Sequence, residues 1–223
     1  MGELISDAFT YPLRGHGVGL ILLFAAFFGF VDLLSRSWRN GLFFSIFGAG
    51  YLSAFLFQIV AASATGKREL PAWPEFTDIW DSIAIPFFQM AAPWVVCLAP
   101  AALPFAFLGL TPGSLTAAVI VAIVTSFYLP MAILSIALNS SVAAMHPAVV
   151  FPAIKAVLGP YLVVWGMLTL VGAISMVIQI LVARTIPFVG FAINAVVSLF
   201  LLSVEMRLLG LVYFAYPDRL KLV

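Results

Sequence analysis

The hydrophobic pattern of the chain is a series of long apolar stretches separated by shorter polar connections. Each stretch is near the length of about 20 residues that a helix needs to cross a bilayer, and none shows the period-two alternation of a membrane strand. A helix also satisfies its backbone hydrogen bonds internally. The pattern predicts an all-α integral membrane protein with a single membrane domain over residues 1–223. Its six transmembrane helices cover residues 17–34, 42–62, 83–108, 114–138, 161–182 and 188–213.

The connections between these stretches differ in length and composition. Residues 35–41, 109–113 and 183–187 are short enough to close tight helical hairpins. The segments 7–16, 70–82 and 146–160 are longer and combine aromatic or apolar residues with prolines and a few charges. Such a composition is typical of amphipathic segments that lie in the headgroup plane. We therefore predict three hairpins, each preceded by a short in-plane amphipathic segment on one side of the membrane.

Composition and charge support the bilayer as the solvent and set the orientation. Hydrophobic residues make up 64% of the chain and charged residues 9%, with a mean hydropathy of +1.19, whereas a soluble domain carries about 25% charged residues. A net charge of +1 gives no reason to expect a nucleic-acid partner. Lys and Arg accumulate in cytoplasmic connections. Their distribution predicts cytoplasmic N- and C-termini, with Arg14, Lys67, Arg68, Lys155, Arg207, Arg219 and Lys221 inside against Arg36, Arg39 and Arg184 outside.

Residue types that carry out chemistry are scarce. Cys97 is the single cysteine, which excludes an intrachain disulfide and a multi-cysteine metal site. His16 and His146 both fall in predicted connections, without the acidic or cysteine cluster of a metal site. No phosphate-binding loop, nucleophile elbow or catalytic pair of carboxylates is present. The sequence predicts no cofactor, no metal and no enzymatic activity.

The third predicted span carries prolines on one helix face. Steps of seven, seven and four residues rotate by about −20°, −20° and +40° around a helix, which aligns Pro86, Pro93, Pro100 and Pro104. Each proline removes a backbone hydrogen bond and tends to bend the helix. Two interpretations stay open. The span is either a bent or broken helix beside a substrate path, with Pro93 and Pro100 along it, or a curved helix packed against its neighbours.

Glu205 and Arg207 are the costliest residues to bury in the last predicted span, at about 2.5 to 3.5 kcal/mol each near the bilayer centre. They lie about 200° apart around the helix and cannot pair with each other. Arg207 can extend to the headgroups, but Glu205 is shorter and lies about 12 Å above the predicted inner boundary. Glu205 is the best single candidate for a functional group on a substrate path. It would be either protonated or hydrogen-bonded by Gln58 or Gln89, and a purely structural polar cluster is the alternative.

One connection carries a recognisable motif. The second span contains Gly50-Tyr51, and residues 66–85 read GKRELPAWPEFTDIWDSIAI. This pattern resembles a prokaryotic family of small multi-spanning membrane proteins, domain of unknown function 4013. Its members carry a Gly-Tyr in a span, a short polar turn, and a Leu-Pro-x-Trp element followed by acidic residues. The chain departs from the pattern at Pro74, where an acidic residue is usual. The resemblance implies a prokaryotic plasma membrane and no established activity, and the matching residues are Leu70, Pro71, Trp73, Glu75 and Asp78.

The same connection has the composition of a membrane-interface segment. Its aromatic residues are of the kind that anchor a protein at the headgroups, and its two basic residues can bind lipid phosphates. Its carboxylates would face the cytoplasm. We expect either an interfacial anchor or a docking surface for a protein partner, formed by Lys67, Arg68, Trp73, Glu75, Phe76 and Trp80.

Residues suited to helix packing are more abundant than residues suited to chemistry. Small residues recur every four positions along two of the spans, which lets helices approach closely. The leading hypothesis is a non-enzymatic accessory or scaffolding subunit of a membrane complex, in contact with lipid and with a membrane-protein partner or a second copy. The alternative is a small transporter or lipid-handling protein whose path runs beside the third span and Glu205. The small residues are Gly41, Ser45, Ala49 and Ser53 in the second span, and Ala118, Ala122 and Ser126 in the fourth.

Overall fold

The structure is a computed structural model that describes residues 2–35, 41–185, 189–220 and 222, without the side chains of 32–35, 183–185 and 189–191. Residues 36–40 of the predicted connection 35–41, and residues 186–187 of the predicted connection 183–187, therefore lie outside the described residues. Arg36, Arg39 and the side chain of Arg184, which entered the prediction of orientation, lie outside them too.

Within this part of the chain the protein is helical and contains no strand, which confirms the predicted all-α class. A 3₁₀ turn at Tyr11–Leu13 follows α1, a π-helical turn at Trp80–Ala84 leads into α4, and a second 3₁₀ turn lies at Val142–Met145. The α-helices are α1 Gly2–Thr10, α2 Gly17–Ser35, α3 Gly41–Ala64, α4 Ile85–Leu108, α5 Pro112–Ser126, α6 Leu129–Asn139, α7 Pro147–Ala156, α8 Leu158–Thr185, α9 Val189–Ala215 and α10 Pro217–Leu220.

The long apolar helices support the prediction of a multi-span membrane protein. In the described part of the chain, five helices are long and apolar enough to cross a bilayer, and the pair Gly2–Leu13 and Gly17–Val31, bent by 64°, makes a sixth if it is counted as one span. The five match predicted spans to within a few residues, and α2 matches the first predicted span. They cover Gly41–Ala64, Trp80–Leu108, Pro112–Asn139, Leu158–Val182 and Ala192–Ala215.

The three longer connections differ in structure from one another. The segment 7–16 contains the end of α1 and the 3₁₀ turn, and 146–160 contains α7. Between them in the chain, residues 67–78 form no helix. The local sequence accounts for this irregular segment, since prolines at 71 and 74 each remove a backbone donor.

The chain forms two compact units, each with its own packing. The first consists of Met1–Phe87 and Gly159–Tyr216, and the second of Phe88–Leu158 and Pro217–Val223. In the first unit α9 packs most closely against α3 and then against α2. Small residues allow this approach: a Cβ at Gly210 on α9 would lie 2.6 Å from the carbonyl oxygen of Val60 on α3. The prediction of a single membrane domain stays a prediction.

In the second unit, side chains bind the turn that follows α6. Ser140 ends α6 in the left-handed conformation, with φ 52°. Its carbonyl accepts a hydrogen bond of 2.7 Å from the Gln89 side chain, and Ser135 Oγ donates to the Ala144 carbonyl at 2.7 Å. Tyr128 donates its hydroxyl to the Met145 carbonyl. The turn is thus bound by three side chains from α4, α6 and the break between α5 and α6.

Candidate functional site

A charged cluster in the first unit is the most highly connected polar site of the described residues. Arg207 on α9 is 2% exposed. Its Nε and Nη2 donate to Asp7 Oδ2 at 3.0 and 2.8 Å. Asp7 on α1 also accepts from Arg14 Nη1 through Oδ1 at 2.5 Å. One carboxylate therefore bridges two guanidinium groups, one buried and one at the surface.

Backbone carbonyls and an aromatic ring complete the coordination of Arg207. Its Nη1 donates to the Lys67 carbonyl at 2.5 Å, and its guanidinium carbon lies 4.3 Å from the centre of the Tyr11 ring. Tyr11 is fully buried and donates its hydroxyl to the Glu69 carbonyl at 3.0 Å. The arginine thus joins α1, α9 and the connection after α3 at one point.

The end of α3 explains how the Lys67 carbonyl reaches Arg207. Gly66 takes a left-handed conformation with φ 75°, its N–H donates to the Ser63 carbonyl at 3.0 Å, and the Lys67 N–H donates to the Ala62 carbonyl at 3.0 Å. These two bonds are a Schellman C-cap, which requires a residue that tolerates positive φ. The cap turns the chain back across the end of α9, where the ring of Phe214 contacts Gly66.

The electrostatics of the cluster favour an ionised Asp7. Partial burial by itself raises the pKa of the Asp7 carboxyl, but the hydrogen bonds and positive charges of Arg207 and Arg14 outweigh burial and lower that pKa below its ordinary value. A carboxylate held between two cations is stable as the anion and is a poor proton donor. The cluster is therefore arranged as a clamp that fixes the N-terminal helix rather than as an acid or base.

The sequence interpretation missed this clamp. It placed Arg207 near the headgroups, whereas the structure buries it against Asp7, 200 positions earlier in the chain. A signal was available: Asp7 belongs to a predicted inner connection and Arg207 to the inner end of the last predicted span. Opposite charges on the same side of a membrane are candidates for pairing.

Residues of the Gly-Tyr and Leu-Pro-x-Trp elements form a second, aromatic cluster with α2. The Trp73 ring stacks on Phe24 of α2 with centroids 4.0 Å apart, and it meets Phe27 edge-on at 5.5 Å. Tyr51 of α3 lies 5.6 Å from Trp73 and donates its hydroxyl to the Pro74 carbonyl at 2.6 Å. This bond uses the backbone carbonyl of Pro74, so it does not depend on the type of side chain at that position.

Two glycines let this connection lie close to the helices. A Cβ on Gly50 would meet the backbone and side chain of Ile83, with its Cγ2 at 2.6 Å, and one on Gly17 would lie 3.0 Å from Leu70 Cδ1. Leu70 is 8% exposed. The Gly-Tyr pair and the Leu-Pro-x-Trp element, which are separate in sequence, thus pack together and hold the connection against α2 and α3.

The remaining motif residues point outward. Lys67, Arg68 and Glu75 are exposed. Phe76 is 56% exposed and Trp80 is 65% exposed. Of the six predicted anchor or docking residues, Trp73 is therefore half-buried in the aromatic cluster, while the other five are accessible to lipid or to a partner.

The predicted path residues are distributed over both units. Glu205 lies half-buried on α9 in the first unit, where Gln58 is exposed. Gln89 belongs to the second unit, and its amide donates to Ser140 instead. Helix α4 runs unbroken through Pro93 and Pro100, whose side chains are buried and half-buried.

Neither a search for metal-binding clusters nor comparison with known proteins identifies a further site. Among the residues that the structure describes, no group of three or more His, Cys, Asp or Glu side chains could hold a metal ion. No protein-family model, curated protein or solved structure matches the chain.

Proposed function

We propose that this chain is a non-enzymatic multi-pass protein of a prokaryotic plasma membrane that serves as an accessory or scaffolding subunit of a membrane complex. The observation that carries the proposal is the uneven burial of the spans. Of the most apolar part of each helix, 61% is buried for Ala192–Ala215, but 17% for Leu158–Val182 and 11% for Trp80–Leu108. Two whole spans thus offer apolar faces to lipid or to the helices of a partner.

The use of the polar residues favours a non-enzymatic role. All three guanidinium nitrogens of Arg207 donate to Asp7 or to the Lys67 carbonyl, and the residue is only 2% exposed, so the arginine is used within the chain. Trp73 and Tyr51 of the motif contact their own chain. Membership of the domain of unknown function 4013 family is part of the proposal, and it is supported by the way the separated motif residues form one cluster.

The proposed topology has both termini in the cytoplasm and three hairpins with in-plane segments on the cytoplasmic side. It draws support from the Arg207 clamp, since α1, the connection after α3 and the end of α9 meet there as this arrangement requires. In a Cys97→Ala background, we expect Lys67→Cys and Lys155→Cys to react with an impermeant maleimide only in inverted vesicles. Ser37→Cys, in a predicted outer connection, is the control that should react in intact cells. Labelling of the two lysine positions from opposite faces would contradict the topology.

The accessory role is tested by native extraction. We expect the tagged chain, extracted in polymer-bounded lipid particles, to bring down a membrane protein at fixed stoichiometry. Gly166 on α8 is exposed and has no heavy atom within 4 Å of a Cβ built on it. Gly166→Trp should therefore displace a partner helix on that face, and Gly166→Ala should keep it. A wild-type chain recovered alone, with solute flux in reconstituted vesicles, would count against the accessory role.

A transporter or lipid-handling role is the second candidate, and one cavity favours it. An open cavity of about 260 Å³ lies between α2, α3 and α9, and its lining includes Phe28, Ser45, Gly48 and Ser198. An apolar cavity with a few hydroxyls suits part of a lipid molecule. In the same reconstituted vesicles, lipid transfer or solute flux that Glu205→Gln reduces would favour this role, and unchanged rates would remove Glu205 from it.

A further inference from the structure

The two helices α8 and α9 share a polar seam in the first unit. Gln179 on α8 donates to Ser198 on α9 at 3.4 Å and to Ser175 at 3.1 Å. Seven residues before Gln179 on α8 and seven residues after Ser198 on α9, a second contact occurs: a Cβ on Gly172 would lie 3.8 Å from Glu205 Oε1. Both contacts fit one antiparallel register of α8 and α9, because the residue number falls along α8 by as much as it rises along α9.

The polar side chains of α9 in this seam form one stripe. Asn194, Ser198 and Glu205 are spaced four and seven residues apart, steps that keep them within about 40° on a helix. The stripe spans about 16 Å along the axis, roughly half of the hydrocarbon thickness. The Asn194 Oδ1 atom is buried, with no hydrogen-bond partner among the described residues. A buried amide oxygen without a partner is costly, and a water molecule in the seam would remove that cost.

Among the described side chains of this seam, none carries a charge that compensates the Glu205 carboxyl. The other charged group on α9, Arg207, points away and is bound to Asp7. Helix α3 carries no charged residue, and neither do the described side chains of α2 and α8. Among the described side chains of α2, α3 and α8, the titratable groups are Tyr51 and Tyr161, and Tyr51 is hydrogen-bonded to Pro74. Helix α1, which also packs against α9, adds Glu3 and Asp7. In the described part of the chain, the carboxyl has no ion-pair partner.

The surroundings of Glu205 suit a proton better than a metal cation. A hard cation such as Mg²⁺ or Ca²⁺ needs about six oxygen ligands, but the next polar side chains of the seam are Ser175, about 5 Å along the axis, and the Gln179–Ser198 pair, about 10 Å along it. Gly172 faces the carboxyl with no side chain at all. A proton needs only the carboxyl itself and a hydrogen-bonded route to water.

From this geometry we propose that Glu205 is a proton-binding carboxyl inside the membrane, reached from water along the α8–α9 seam. The seam delivers a proton from water to the carboxylate oxygen and returns it to water by the same route, so no other reactant is needed. Gln179 and Ser198 form the hydrogen-bonded part of the route, and Asn194 lies at its far end. The site is independent of the accessory role, since a scaffolding subunit and a transporter can both contain it.

The test uses dicyclohexylcarbodiimide, an apolar reagent that adds intact to protonated carboxyls in apolar surroundings. The purified full-length chain in lipid nanodiscs is treated at a series of pH values, and the modified peptide is quantified by mass spectrometry. We expect Glu205 to be the modified residue, with a rate that falls about tenfold per pH unit above its own titration midpoint. Glu205→Gln should lose the modification, and Glu205→Asp should keep it.

Two seam variants separate a proton site from a merely buried acid. Gly172→Leu places a side chain in front of the carboxyl and should slow the modification severalfold, whereas Gly172→Ala, whose Cβ makes an ordinary contact, should not. Gln179→Leu should slow proton exchange at Glu205, measured as the delay of labelling after a pH jump. Absence of modification, a rate independent of pH, or protection by NaCl but not by choline chloride would overturn the proposal. Thermal unfolding of each variant confirms that it is folded.

Discussion

Replacement of Arg207 by alanine is expected to lower the free energy of unfolding by about 3 kcal/mol, because it leaves a carboxylate and a carbonyl without their donor. Arg207 is 2% exposed and donates to Asp7 and Lys67. Breaking a buried ion pair costs about 3 to 5 kcal/mol. We expect the lower end of this range, because the Asp7 side chain is 24% exposed and keeps its ion pair with Arg14. For a chain of 223 residues, the loss corresponds to a melting temperature lower by about 6 to 12 °C in detergent.

The matched control is Arg14→Gln, whose side chain is 35% exposed. Removing this surface partner of Asp7 should cost about 1 kcal/mol or less. A loss after Arg207→Ala no larger than after Arg14→Gln would contradict the clamp.

The pH dependence of stability gives the same interaction a second readout. The folded state lowers the pKa of Asp7, so the ionised pair stabilises the fold fully above the ordinary carboxyl pKa of about 4. That stability is lost as the pH falls through the lowered pKa. Asp7→Asn should be less stable at neutral pH and should lack this acid-dependent component.

Replacement of Gly210 by valine is expected to destabilise the α3–α9 pair by about 3 kcal/mol, at the upper end of the cost of overpacking. A Cβ at Gly210 would lie 2.6 Å from the Val60 carbonyl oxygen and 3.0 Å from the Ala64 nitrogen. These are backbone atoms, so no rotamer change can make room and the helices must separate. Because this contact lies next to the Arg207 clamp, the variant should also weaken the fixation of α1.

Gly166→Ala is the matched control for this effect. The site lies on an exposed part of α8 with no heavy atom within 4 Å of the new Cβ. Alanine favours a helix over glycine by about 0.8 to 1.0 kcal/mol, so this variant should be neutral or slightly more stable. Denaturation in sodium dodecyl sulfate, followed by tryptophan fluorescence, compares the two variants. Equal midpoints would show that close approach of α3 and α9 does not contribute to stability.

The spans could be predicted from the sequence because the membrane acts on each one locally. Residues 42–62 predict Gly41–Ala64, and 188–213 predict Ala192–Ala215, with boundaries shifted by a few residues. A segment that crosses hydrocarbon needs enough apolar residues and must satisfy its backbone hydrogen bonds internally. Both requirements can be read from a window of about 20 residues. The predicted in-plane segments depend on a boundary outside the chain and stay predictions.

The candidate sites were only partly predictable, because their contacts join distant parts of the chain. Glu205 stood out by its cost in a span, but its position opposite Gly172 depends on the register of two helices. Trp73 was predicted as an interfacial anchor, and this stays a prediction. Its stacking on Phe24 of α2 could not be predicted, because it depends on how the connection packs against that helix.

The sequence by itself determined that the solvent is a bilayer, where the helices lie and which residues are expensive there, since hydropathy and helix geometry act over one or two turns. Only the tertiary structure decided that Arg207 is neutralised by Asp7 and that Tyr51 meets Pro74. It also placed Glu205 on the α8–α9 seam without a counter-charge among the described residues. These pairings arise from the packing of helices and their connections. A charged or aromatic residue has several possible partners in the sequence, and only the packing selects the one it contacts.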